Sequence, residues 1–333
     1  MAEREGYVAR IAREIAALPR VENRTVSTVY FGGGTPALCD LRPVCTAVRE
    51  AVGPVDEFTV ELNPRDVTPS LLSDLRELGV NRVSMGVQSL DDKALSAMGR
   101  PHSASMAEDA FTAVRKAGFD NAGFDLIAGW PGTTEGSWRR TLERAVALGP
   151  DHVSVYTLIR EPGTALDVAV GDGCVKLPGD DEALVQHDMA RVALVRIGLE
   201  RYEVSNFARP GRECRHNLAV WRGEDYVGIG EGAHGRVGKR RTVGMSGGKY
   251  ETSLVSPEAD ARERALFALR LAEGIDLDTV ANRWPVLAEW IPRWKMELES
   301  LATHEIVRKA HGNRFVPTCR GMEVCDAVMA RLA

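Results

Sequence analysis

The chemistry-bearing residues of this 333-residue chain gather at the ends of short apolar runs. The first run, Ser27-Thr28-Val29-Tyr30-Phe31, stops at Gly32-Gly33-Gly34-Thr35-Pro36. Consecutive glycines expose bare N–H groups and adopt torsions that a Cβ forbids. Such a loop suits contact with a carboxylate, an amine or a phosphate. A tight strand-to-helix turn is the plainer reading of the same residues. Later apolar runs tip the balance toward a ligand, because Glu61, Asn63, Gln88, Asp125 and Tyr156 stand at or near their ends. Asp125 lies inside Phe124-Asp125-Leu126-Ile127, where a buried carboxylate needs either a structural hydrogen bond or a ligand.

The six cysteines are Cys39, Cys45, Cys174, Cys214, Cys319 and Cys325. None forms a Cys-x-x-Cys pair, so their spacing makes no recognisable metal site. The composition, 44% hydrophobic and 27% charged, is that of a globular chain with a sizeable core. A formal net charge of -5 and a pI near 5.9 give no nucleic-acid footprint. No apolar run is long enough to span a bilayer, and the mixed-charge start lacks a signal-peptide pattern. A cytoplasmic protein with at most peripheral membrane contact is expected, its thiols mostly buried and unpaired.

The elements that must position these residues alternate. Apolar strands are expected at Phe58–Leu62, Arg82–Val87, Gly123–Ile127 and His152–Tyr156. Helices fit Leu41–Val52, Ser105–Ala117 and Gly136–Leu148, and another starts at Thr68-Pro69 and closes at Gly79. An amphipathic helix over Tyr7, Val8, Ile11 and Ile15, ending near Pro19, precedes them. This rhythm gives parallel strands with right-handed crossovers, and polar strand ends favour a barrel mouth over a doubly wound sheet. The fold class is therefore α/β, a partial (β/α) TIM-like barrel with a small C-terminal helical, winged-helix-like domain.

The expected divisions are 1–170 for the barrel, 171–255 for an extension and 256–333 for the C-terminal domain. Within the extension, Tyr202–Phe207 reads as a strand and Asp181–Gly198 as a helix. Gly228-x-Gly230-x-x-Ala233 matches a dinucleotide fingerprint only superficially. Arg236–Arg241, which follows it, is basic and glycine-broken rather than helical. In the tail, Glu258–Leu271 and Trp284–Leu301 read as helices, then a wing-like pair of strands, then a helix from Gly321.

Together these runs resemble the oxygen-independent coproporphyrinogen oxidase family of radical S-adenosylmethionine proteins, nearest its heme-chaperone branch. The resemblance rests on Phe31-Gly32-Gly33-Gly34-Thr35-Pro36, Val60-Glu61-Leu62-Asn63-Pro64, Ser84-Met85-Gly86-Val87-Gln88-Ser89 and Gly99-Arg100-Pro101-His102. It continues through Phe124–Gly132, His216-Asn217 with Trp221, and Gly228–Gly235. It implies that Gly33, Gly34 and Thr35 contact the methionine part of S-adenosylmethionine, and that Glu61, Gln88, Arg100 and Asp125 contact the rest. It further implies heme as a ligand of His216, and an acceptor protein that receives the heme. Val220 stands where that branch carries a tyrosine.

The resemblance also implies a four-iron four-sulfur cluster held by Cys-x-x-x-Cys-x-x-Cys ahead of the glycine loop. That motif does not occur in these 333 residues, so the chain as written is expected to be catalytically incomplete. The coding DNA is expected to continue in frame upstream of Met1 through an apolar strand and this motif. A heme chaperone is the favoured function. The alternatives are an oxygen-independent coproporphyrinogen III dehydrogenase on the same barrel and a clusterless, non-catalytic binding protein.

Overall fold

The computed structural model describes residues 2–18 and 25–333. Met1 and Pro19, the expected end of the first helix, lie outside them. Helix α1, Ala2–Ala16, buries Val8, Ile11 and Ile15 as its spacing predicts. It packs on α2, Arg42–Val52, through Val44, Ala47 and Val48.

Strands β1, Thr28–Phe31, β2, Glu57–Leu62, β3, Arg82–Gln88, β4, Ala122–Ala128, and β5, His152–Thr157, pair in sequence order, all parallel. Helices α3, Pro69–Glu77, α4, Asp92–Ala97, α5, Ala104–Lys116, and α6, Glu135–Ala147, supply the crossovers. Their starts are set locally. Thr68 Oγ1 accepts from Leu71 N–H with Pro69 at the first helical position, and Thr134 makes a capping box with Ser137. Gly79, at φ +91°, turns the chain out of α3, where a Cβ would be strained.

Alternation along each strand separates two chemistries. Val60, Val83, Met85, Phe124, Leu126, Val153 and Val155 point outward and are at most 1% exposed. They pack on Leu72, Leu75, Phe111, Val114, Trp138 and Leu142 of the helices, and each such aliphatic side chain contributes about 1.5–3 kcal/mol. The concave face carries Thr59, Glu61, Arg82, Ser84, Asp125, His152 and Ser154 instead. A polar interior of this kind is the wall of a partial barrel.

After β5 come helices α7, Ala165–Gly171, and α8, Asp180–Arg196. The single strand expected at Tyr202–Phe207 is instead a hairpin of β6, Glu200–Arg201, and β7, Asn206–Ala208. Glu203 makes the turn, its carboxylate accepting Ser205 N–H at 2.8 Å. Strand β7 pairs antiparallel to β5 and ends the parallel series, giving the order β1-β2-β3-β4-β5-β7-β6. Helix α9, Arg215–Trp221, then crosses back to β1.

Arg236–Arg241, read as non-helical, belongs to an antiparallel sheet of β8, His234–Val237, β9, Arg240–Met245, and β10, Lys249–Leu254. Buried Arg236 and half-buried Arg241 are held by Asp260 and Glu263 of α10, Pro257–Leu266, which explains basic residues in a hairpin. The expected helix over Glu258–Leu271 gives way after Leu266 to a 3-10 turn, Phe267–Arg270. A second core follows around Trp294, whose Nε1–H donates to the Leu332 carbonyl at 2.8 Å. It is built from β11, Ile275–Asp276, α11, Leu277–Arg283, α12, Trp290–Thr303, β12, Val307–Lys309, and β13, Arg314–Pro317.

The α-helix expected from Trp284 begins only at Trp290. Pro285 pushes Trp284 out of the helical region, to φ -132° and ψ 77°. The last helix is broken too, into α13, Cys319–Glu323, and α14, Cys325–Leu332.

Candidate functional site

Strand β1 delivers the glycine loop to the mouth of the sheet. A Cβ on Gly32 would lie 2.8 Å from Tyr30 Cε1 and 3.0 Å from the Glu61 carboxyl carbon, so a larger residue would have to displace these side chains. Gly33 and Gly34 follow at φ +75° and +60°. Gly33 N–H donates to Glu61 Oε2 at 3.1 Å, and the Tyr30 hydroxyl donates to Oε1 at 2.7 Å. Burial, reinforced by the Glu61 charge, pushes the Tyr30 phenol far above its ordinary range and keeps it a donor.

Beside this pair, Asn63 joins two elements. Its Nδ2 donates to Thr35 Oγ1 at 3.1 Å, and its Oδ1 accepts from Arg100 at 2.8 Å. Arg100 also donates to the Gly86 carbonyl at 3.2 Å. Its Nε is buried without a hydrogen-bond partner, and no carboxylate among the described residues pairs with it. Desolvation lowers its pKa, so the cation is destabilised where it stands.

Gln88 has the left-handed torsion φ +65°, rare outside glycine, at a shift in the β3–β4 register. The preceding carbonyl, that of Val87, accepts Ser89 N–H at 2.8 Å and faces His102 Nε2 at 3.1 Å. The twisted backbone brings the Gln88 amide over Gly86, where a Cβ would sit 3.0 Å from Nε2. Asp125, on the neighbouring strand, accepts from Ser84 Oγ at 3.4 Å. Desolvation raises its pKa to about 6, with the Ser154 and Ser84 hydroxyls opposing and Glu61 adding to the rise.

His216 reaches the same region from the opposite side. The Glu57 carboxylate accepts the N–H groups of Arg215 and His216 at 3.0 and 3.1 Å, anchoring the start of α9 to β2. Cys214, its thiol driven to about 11 chiefly by burial, points at the same carboxylate. The His216 ring stacks on Tyr30, centroids 5.2 Å apart, and its Nδ1 lies 3.1 Å from Thr28 Oγ1. Burial lowers its pKa, so the imidazole is neutral near pH 7.

The structure thus links Gly33, Thr35, Glu61, Arg100 and His216 through Tyr30 and Asn63, with Gly34, Gln88 and Asp125 beside them. Tyr30, Thr28, Glu57 and Arg82 are additions that reading for strand ends overlooked. Their signal was the period-two alternation itself, which puts Thr28 with Tyr30 and Glu57 with Thr59 and Glu61 on one face. Tyr156, by contrast, is 44% exposed.

The Gly228–Gly235 run packs closely on other backbone. The positions a Cβ would take on Gly228 and Gly244 are filled by the carbonyls of His234 and Gly230. Gly230 N–H donates to Tyr250, whose hydroxyl donates to Glu14 at 2.6 Å, so the loop fastens α1 to the small sheet.

Three cysteines do not converge anywhere. Among the described residues no group of three His, Cys, Asp or Glu could hold a metal. Cys45, Cys214 and Cys325 are buried in separate places, and their thiols are raised to about 11. These residues do not fit a four-iron cluster. No helix of the described residues is long and apolar enough to cross a membrane.

Comparison with known proteins places this geometry. Residues 2–145 match the Radical SAM superfamily. The heme chaperone HemW of Mycobacterium tuberculosis is 33% identical over 341 residues, covering 97% of this chain and 84% of that protein. HemW of Bacillus subtilis is 33% identical over 298 residues, covering 84% and 79%. Coproporphyrinogen III oxidase, HemN, from Escherichia coli shares the fold with a TM-score of 0.82 at 21% identity, covering 99% of this chain and 82% of that one. The radical SAM match, the HemW relatives spanning most of both chains, and the HemN fold agree, and this chain belongs to the HemW family of the radical SAM superfamily.

Proposed function

We propose that this chain is a heme chaperone, binding heme through His216 and passing it to an acceptor protein. One observation carries the reading. A neutral imidazole, a competent axial ligand for heme iron, is held at the N-terminal ends of β1 and β2, stacked on Tyr30 and with Nδ1 engaged by Thr28. The residue is half-buried, and the hydrogen bond of its ring among the described residues is made at Nδ1. The HemW relatives at 33% identity support the same reading.

S-Adenosylmethionine is the second ligand of the reading. Gly33, Gly34 and Thr35 would face its methionine part, and Glu61, Gln88, Arg100 and Asp125 the remainder. The orphaned Nε of Arg100 suits a ligand carboxylate, and Glu61 with Asp125 suits an amino group or ribose hydroxyls. When bound beside a reduced iron–sulfur cluster, this cofactor supplies radical chemistry. A cytoplasmic location belongs to the reading, supported by the composition.

The test is a titration with ferric heme. A saturating one-to-one Soret shift is expected, and a flat titration would end the chaperone reading.

A further inference from the structure

Thr28 and Glu57 are register partners in the β1–β2 ladder, and both reach His216. Glu57 fixes its backbone N–H at 3.1 Å and that of Arg215 at 3.0 Å. Thr28 holds the ring at Nδ1, and Tyr30, two residues along the same strand, covers its face. One pair of adjacent strands therefore sets the backbone, the ring plane and one ring nitrogen.

We propose that Thr28 is a positioning residue for heme binding: its Oγ1 accepts the Nδ1–H of His216 and leaves the Nε2 lone pair for iron. The proposal rests on His216 being the heme ligand. Iron takes a nitrogen lone pair, so the neutral ring must carry its proton on the other nitrogen. Thr28 Oγ1 is the acceptor within hydrogen-bond distance of that nitrogen. The hydrogen bond also raises the basicity of the ligating nitrogen, as outer partners of metal-bound histidines do. Glu57 acts one step further back, by holding the first turn of α9 against β2.

The test compares ferric-heme affinity, Soret position and the ferric/ferrous midpoint of wild type, Thr28→Val, Thr28→Ser and His216→Ala. Thr28→Val keeps the shape and removes the acceptor. It should weaken heme binding about tenfold or more and move the midpoint to higher potential. Thr28→Ser restores an acceptor and should return both toward wild type, which a packing role of the threonine methyl would not do. Should Thr28→Val fold poorly, Thr28→Ser against Thr28→Ala gives the same comparison. If His216→Ala abolishes the Soret shift while Thr28→Val leaves affinity and midpoint unchanged, the positioning role is overturned and the ligand assignment stands. If His216→Ala changes nothing, both fall.

Discussion

The Tyr30 hydroxyl donates to Glu61 Oε1 at 2.7 Å, and the face of the same ring lies 5.2 Å from the ring of His216. A single side chain therefore touches both the carboxylate beside the glycine loop and the candidate heme ligand. Tyr30→Phe keeps the stacking and removes the hydrogen bond. It should cost about 1.5–3 kcal/mol of stability, the range for a bond to a charged group. S-Adenosylmethionine binding should weaken while heme affinity changes little. Denaturant melts and paired calorimetric titrations check both parts, and an unchanged cofactor affinity would remove Glu61 from that site.

Gly32→Ala places a methyl 2.8 Å from Tyr30 and 3.0 Å from the Glu61 carboxyl carbon. Both neighbours, joined by their hydrogen bond, would have to shift, so the overpacking should cost about 1–3 kcal/mol. A urea midpoint equal to wild type would mean that the loop relaxes freely.

Asp125 gives a pH dependence with a definite sign. Its folded pKa of about 6 exceeds the unfolded value. Below the unfolded value the protonated carboxyl is accommodated without penalty, and stability falls as pH rises through about 6 because the charged form is disfavoured in place. Asp125→Asn should therefore melt above wild type at pH 7–8 and lose that advantage near pH 4. A constant difference in melting temperature across this window would show that the carboxylate is not held in this way.

Much of this was legible in the sequence, for reasons that differ by element. The parallel strands were readable because β-branched runs alternate with capped helices, as at Thr68-Pro69. The candidate residues at strand ends were readable because a polar residue closing an apolar run is conspicuous. Tyr30 and Glu57 were not, since a tyrosine or glutamate in a strand gains meaning only when its partner across the sheet is known. The β8–β9 hairpin was hidden because its arginines are paid for by Asp260 and Glu263, about twenty residues further on. The β6–β7 hairpin was hidden because its turn is made by Glu203 rather than by glycine.

Cluster chemistry gives a further prediction. Cys214 lies against Glu57, Cys325 donates to the Leu269 carbonyl in the second core, and Cys45 is buried on α2. Anaerobic reconstitution of residues 1–333 with iron and sulfide should leave no stoichiometric four-iron cluster and form no 5′-deoxyadenosine on reduction. A brown protein with four irons per chain would require these thiols to move together.

The central claim is that His216 ligates heme, and its most direct measurement is the Soret band of His216→Ala titrated with ferric heme. His234→Ala is the control, because His234 lies exposed on β8 in a glycine-rich stretch. The account predicts that the His216 variant loses the shifted band and binds at least about tenfold more weakly, a difference of about 1.4 kcal/mol, while His234→Ala titrates like wild type. A His216 variant with the wild-type band, or a band lost only in His234→Ala, would contradict it.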